Sequence, residues 1–115
     1  VCASPDYYLA RNVDRIPLSA KLFAHDSHCM VNLKSKTMAV VERDTGRRIV
    51  VDIADFPYTL IWSTPQAPMR FICIEPWHSI PSEDNGPIEW EKKPCAASLA
   101  PDEMWQTTLN VTFER

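Results

Sequence analysis

Ten prolines and only two glycines are distributed along these 115 residues, and that combination restricts the fold more than any other feature. Proline inside a helix removes a backbone donor and clashes with the preceding turn, so long helices have little room. "PLSAKLFAHD" can hold one helical turn after Pro17, and nothing longer is periodic at helical spacing. The periodicity that does exist is that of strands. In "WQTTLNVTF", Trp105, Thr107, Leu109, Val111 and Phe113 alternate with Gln106, Thr108, Asn110 and Thr112, which predicts a half-buried strand. Two β-rich runs, 37–43 and 47–53, flank Asp44-Thr45-Gly46 and predict a hairpin, with Gly46 supplying the positive φ of its loop. Runs 58–62 and 70–75 predict a further pair of strands joined by the proline loop "STPQAP", and Pro101-Asp102 predicts a turn ahead of the last strand. Several short strands separated by turn signals define an all-β fold, an antiparallel β-sandwich.

The length fits one domain with a real core. With 45% hydrophobic and 23% charged residues the chain is an ordinary globular one. A net charge of −3, with basic residues scattered in pairs such as Arg47-Arg48 and Lys92-Lys93, gives no footprint for nucleic acid or an anionic membrane. No apolar run approaches the roughly 18 residues that cross a bilayer. The opening "VCASPDYYLARNVDR" has neither a basic leader nor a long apolar region, so the expectation is a cytoplasmic protein. Cys2, Cys29, Cys73 and Cys95 lack zinc spacing and are expected to be reduced, small, buried side chains. With only Gly46 and Gly86 in the chain, glycine-rich nucleotide loops are excluded.

The segment richest in chemistry is "RFICIEPWHSIPSEDNGPIEW". An apolar run, Phe71-Ile72-Cys73-Ile74, delivers Glu75 to its end. Phe71, Cys73 and Glu75 share one face and Ile72 and Ile74 the other, which predicts a central strand covered on both sides. A carboxylate partly withdrawn from water at the tip of such a strand suits a general base. Most strand-end carboxylates are only solvated charges, however. Trp62, Trp77 and Trp90 are candidate platforms for the C–H face of a pyranose, although a single tryptophan is more often core. In "FAHDSHC", His25, Asp26 and His28 fall short of a metal ligand set, and Asp26 fits better as a hydrogen-bonding residue in a turn. His78 is a loop residue that could titrate near neutrality.

Taken together, "DRIPLSAKLF", "NLKSKTMAVV", "DIADFPYTLIWSTPQAPMRFICIEPW" and "SLAPDEMWQTTLNVTF" resemble the C-terminal part of the aldose 1-epimerase (galactose mutarotase)-like family, in its bacterial LacX-type branch. The resemblance runs from about Arg15 to Phe113 and is most specific in DFPY-x-x-IWS followed by FICIEPW. It implies a β-supersandwich and interconversion of the α and β anomers of a hexose or other aldose. It places the general base on Glu75 and a substrate-binding aspartate roughly on Asp26, and the expectation is that Trp62 and Trp77 line the sugar pocket beside them. No metal or organic cofactor is required, because the chemistry is proton transfer between oxygens. The family's acid, a histidine, lies upstream of the matching residues, and His25, His28 and His78 do not stand in its motif. These residues are therefore expected to be the C-terminal portion of a larger domain, inactive alone and paired with the missing N-terminal part or another copy of the chain. The alternative is a non-catalytic carbohydrate-binding or regulatory β-sandwich protein.

Overall fold

The computed structural model of the chain describes residues 7–81 and 89–115. Cys2 and Gly86 lie outside the described residues. Two short 3-10 turns, Ala20–Phe23 and Trp90–Lys92, accompany six strands: β1 (His28–Val31), β2 (Thr37–Val41), β3 (Arg48–Asp52), β4 (Tyr58–Trp62), β5 (Cys73–Trp77) and β6 (Val111–Glu114). They form two antiparallel three-stranded sheets, ordered β1-β4-β5 and β2-β3-β6. The all-β, sandwich-type expectation holds. Among the described residues no helix is long and apolar enough to cross a membrane.

Each sheet grows from a local signal. The β2–β3 hairpin closes where Arg47 C=O accepts from Glu42 N–H at 2.8 Å, and Gly46 adopts φ +74. Without a Cβ, glycine takes that conformation without the clash another residue would meet. Arg47 also bridges to Glu42 at 2.8 Å and pins the two ends of the loop. The apolar centre belongs to β4, where Thr59, Leu60 and Ile61 are buried in succession. Phe23, Val51, Ile53 and Ser63 complete the buried set. Ser63 Oγ donates to Phe71 C=O at 2.7 Å, tying the exit of β4 to the chain that returns as β5.

Two sequence expectations are corrected. The strand carrying Glu75 is not central: it begins at Cys73 rather than near Arg70, ends at Trp77, and lies at the edge of its sheet. Pro76 gives the reason, since proline has no N–H to donate to a further strand and is confined to edges. The final strand is shorter than its alternation, because β3 ends at Asp52 and offers the chain before Asn110 no partner. Residues 105–110 are consequently exposed rather than half-buried. A further strand, His28–Val31, follows the Asp26 turn in a stretch to which the sequence patterns assign no element.

Candidate functional site

The β4–β5 register sets Tyr58 opposite Trp77, Leu60 opposite Glu75 and Trp62 opposite Cys73. Residues directly opposite in an antiparallel pair point to the same face, and alternation extends that face along each strand. Glu75 therefore shares one face with Trp62 and Tyr58, both diagonal to it, and with Trp77, about 6.6 Å further along its own strand. Leu60, 4% exposed, stands beside Glu75 on the neighbouring strand. Trp62 is braced by Phe71, with ring centroids 5.6 Å apart. Glu75, Trp62 and Trp77 are all half-buried. The result is a carboxylate between two indoles on a firm sheet, with ring faces for apolar C–H surface and a charged acceptor for hydroxyls.

Two concavities of the chain lie away from this face. One, of about 180 Å³, is lined by Met30 and Thr59 of the first sheet and by residues that flank the strands, among them Lys36, Ile53 and Phe56. The other is a groove on the second sheet beside Ile49 and Phe113. Neither includes Glu75, Trp62 or Trp77, so the Glu75 face is a platform rather than the floor of either cavity.

Of the four sequence-derived site residues, the sheet brings together Glu75, Trp62 and Trp77. Asp26 stands apart from that face, in the turn two residues before β1, exposed and at φ 90. Its Oδ1 accepts from Ser27 N–H at 2.7 Å. Because His28 pairs with Ile61, this turn lies toward the Trp62 end of the sheet. Trp90 is 78% exposed on the second 3-10 turn and belongs to no strand.

The histidines occupy other places. His28 Nε2 lies 2.6 Å from Leu22 C=O, which only accepts, so that nitrogen carries the hydrogen. Its Nδ1 is left to accept from the Tyr7 hydroxyl. His78 packs between Phe56 and Trp105, at centroid distances of 4.8 and 4.7 Å. Phe56 lines the same cavity as Met30 and Thr59, whose register positions belong to the face opposite Glu75. His25 is exposed in the turn that holds Asp26. Among the described residues no group of three histidine, cysteine or acidic side chains is arranged to hold a metal ion.

One group on the Glu75 face escaped the sequence reading. Tyr58 lies on it, with its hydroxyl 3.9 Å from Cys95 Sγ. The alternation Tyr58, Leu60, Trp62 was the available signal. Partial burial raises the Tyr58 pKa above its usual value, and the hydrogen bond from Cys95 and the charges of Cys95 and Cys29 push the same way. A folded pKa above the unfolded one means stability fully present below the unfolded value and lost as pH rises through the folded value. Burial and the charge of Cys29 raise Tyr7 as well, so phenolate absorbance should show Tyr7 and Tyr58 titrating later than the ordinary phenol, and stability falling across that alkaline window. Titration of every tyrosine at the model-peptide value would contradict the Tyr58 environment.

The thiols are corrected in burial. Cys29, Cys73 and Cys95 are free, but Cys29 and Cys95 are exposed and Cys73 is half-buried. Desolvation still raises the Cys29 pKa.

The chain is similar to the plasmid and chromosomal forms of Protein LacX from Lactococcus lactis subsp. lactis, 30% identical to each over 103 residues. The match covers 89% of this chain and 34% of each relative, so the chain spans about a third of the length of the curated relatives it matches. No family model matches it, and no solved structure matches it.

Proposed function

We propose that this chain is the C-terminal, sugar-facing portion of an aldose 1-epimerase-like protein, built on a galactose mutarotase-like β-supersandwich. The observation that carries the reading is the placement of Glu75 between Trp62 and Trp77 on one face of a sheet. Similarity to LacX supports it. In this reading the ring faces of Trp62 and Trp77 hold the C–H surface of a hexose or other aldose, and Asp26 takes a hydroxyl from the Trp62 end. The Glu75 carboxylate removes the proton of the C1 hydroxyl. As C1=O forms, the bond from C1 to the ring oxygen breaks and that oxygen is protonated by a histidine of the remaining part of the domain. Rotation about C1–C2 and reversal of these steps close the ring on the other anomer. Proton transfer of this kind needs no metal or organic cofactor. A cytoplasmic location suits an enzyme acting on free aldoses.

One observation favours a second reading, a carbohydrate-binding protein without turnover: His28 and His78 are both engaged away from the Glu75 face. Two measurements separate the readings. Polarimetry of a freshly dissolved α-anomer, with a polypeptide carrying this chain and the rest of the domain, should show catalysed relaxation. Glu75→Gln should slow it by about 10²–10⁴-fold, the usual contribution of a positioned base. Equal catalysed rates for the two proteins would remove Glu75 from the mechanism. Quenching of tryptophan emission by an aldose, with no catalysed relaxation, would establish the binding protein instead. If no aldose perturbs that emission, both readings fall.

A further inference from the structure

The second sheet has an apolar face that the described residues leave uncovered on one side. Register places Met38 and Val40 of β2, Ile49 and Val51 of β3, and Val111 and Phe113 of β6 together on that face. Val51 is buried, whereas Ile49, Val111 and Phe113 are exposed, Phe113 by 77%. The uncovered apolar surface therefore concentrates along β6, which among the described residues pairs only with β3 and is an edge. Exposed edges bearing apolar side chains are the places where sheets add strands.

The backbone of that edge can be read from the ladder. Asp52 N–H donates to Asn110 C=O at 3.0 Å, one step beyond the Val51–Val111 pair. Hydrogen-bonded and non-hydrogen-bonded pairs alternate along an antiparallel ladder. Thr112 and Glu114 thus direct their N–H and C=O groups at β3, and Val111 and Phe113 direct theirs at the free edge. The segment Asn110-Val111-Thr112-Phe113-Glu114 is palindromic in polarity about Thr112.

We propose that two copies of this chain join edge to edge through β6, antiparallel about a two-fold axis at Thr112. In that register Val111 meets the partner's Phe113 and Phe113 meets the partner's Val111. These are the residues whose outward N–H and C=O groups are free, and each such pair closes two hydrogen bonds. An aromatic against a β-branched side chain is a favourable cross-strand pair, and so is threonine against threonine on the axis. Asn110 meets the partner's Glu114, an amide donor against a carboxylate acceptor. Charge is also matched: Arg48 is ion-paired with Glu114 within its own chain, so no unbalanced charge approaches the edge. An isologous contact requires one patch to complement itself, and a polarity palindrome on an unpaired edge does so. The six-stranded sheet that results carries one continuous apolar face.

Sedimentation of the 115-residue chain should show a reversible dimer. Thr112→Lys and Thr112→Glu each set like charges opposite one another on the axis and should weaken dimerisation at least about fivefold. An equimolar mixture of the two variants should restore it, because Lys then faces Glu. Phe113→Pro removes an outward N–H that no strand among the described residues uses, so it should give a monomer with an unchanged far-ultraviolet dichroism spectrum. A monomeric parent chain overturns the proposal. So does a dimer insensitive to both Thr112 variants, which would point to the other edge at β2, and so does a mixture that fails to recover the dimer.

Discussion

Phe23→Ala is expected to lower the unfolding free energy by about 3–5 kcal/mol, the usual range for removing a buried aromatic ring. Phe23 is 1% exposed, among the most completely buried side chains of the chain. It sits at the end of the first 3-10 turn, and its ring packs on His28 with centroids 5.7 Å apart. His28 is the first residue of β1 and also holds Leu22 C=O. Phe23 therefore joins the N-terminal turn to an edge strand of the first sheet, and the alanine variant leaves a cavity that also frees the His28 ring. Domains are commonly stable by only about 5–15 kcal/mol, so the loss is a large share of the total. Urea unfolding should show a lower midpoint, and amide protection should fall first in β1. A loss below about 1 kcal/mol would mean that Phe23 does not hold the core together.

The parts of the fold legible in the sequence are those set by local chemistry. Gly46 between two β-branched runs specifies the β2–β3 hairpin, and Tyr58–Trp62 is apolar enough to identify itself as a strand. Pro101-Asp102 marks a turn, where Glu103 N–H donates to Ala100 C=O at 3.1 Å and Asp102 takes φ 66. What was not legible depends on pairing between distant residues. Nothing near Val111 says that it pairs with Val51, and nothing near His28 says that it pairs with Ile61. The same holds for the candidate site. Glu75, Trp62 and Trp77 could each be singled out as residue types, but their common face follows from the pairing of Leu60 with Glu75 across the proline loop. Shifting that register by one residue would send every side chain of β5 to the other face. The edge position of β5, by contrast, was available in Pro76 and was outweighed by the apolar run before it.

A pair of neighbouring substitutions in β4 tests whether the Glu75 face does more than hold the fold. Leu60 and Ile61 are comparably buried, at 4% and 6% exposed, yet they point to opposite faces of the sheet. Either residue changed to Ala should cost about 2–5 kcal/mol of stability, through lost burial and the cavity left behind. Their effects on a sugar should differ. Leu60 lies directly opposite Glu75 and between Tyr58 and Trp62 on the same face, so Leu60→Ala removes the apolar side chain that separates these groups. Ile61 pairs with Ile74 and His28 on the far side, and Ile61→Ala leaves the Glu75 face unchanged. At a temperature where both variants remain folded, Leu60→Ala should weaken aldose-induced quenching of tryptophan emission by about tenfold or more, the equivalent of about 1.4 kcal/mol. Ile61→Ala should bind as the parent chain does. Equal losses in the two variants would mean that the quenching reports overall stability, and the Glu75 face would no longer be distinguished as the place where the sugar lies.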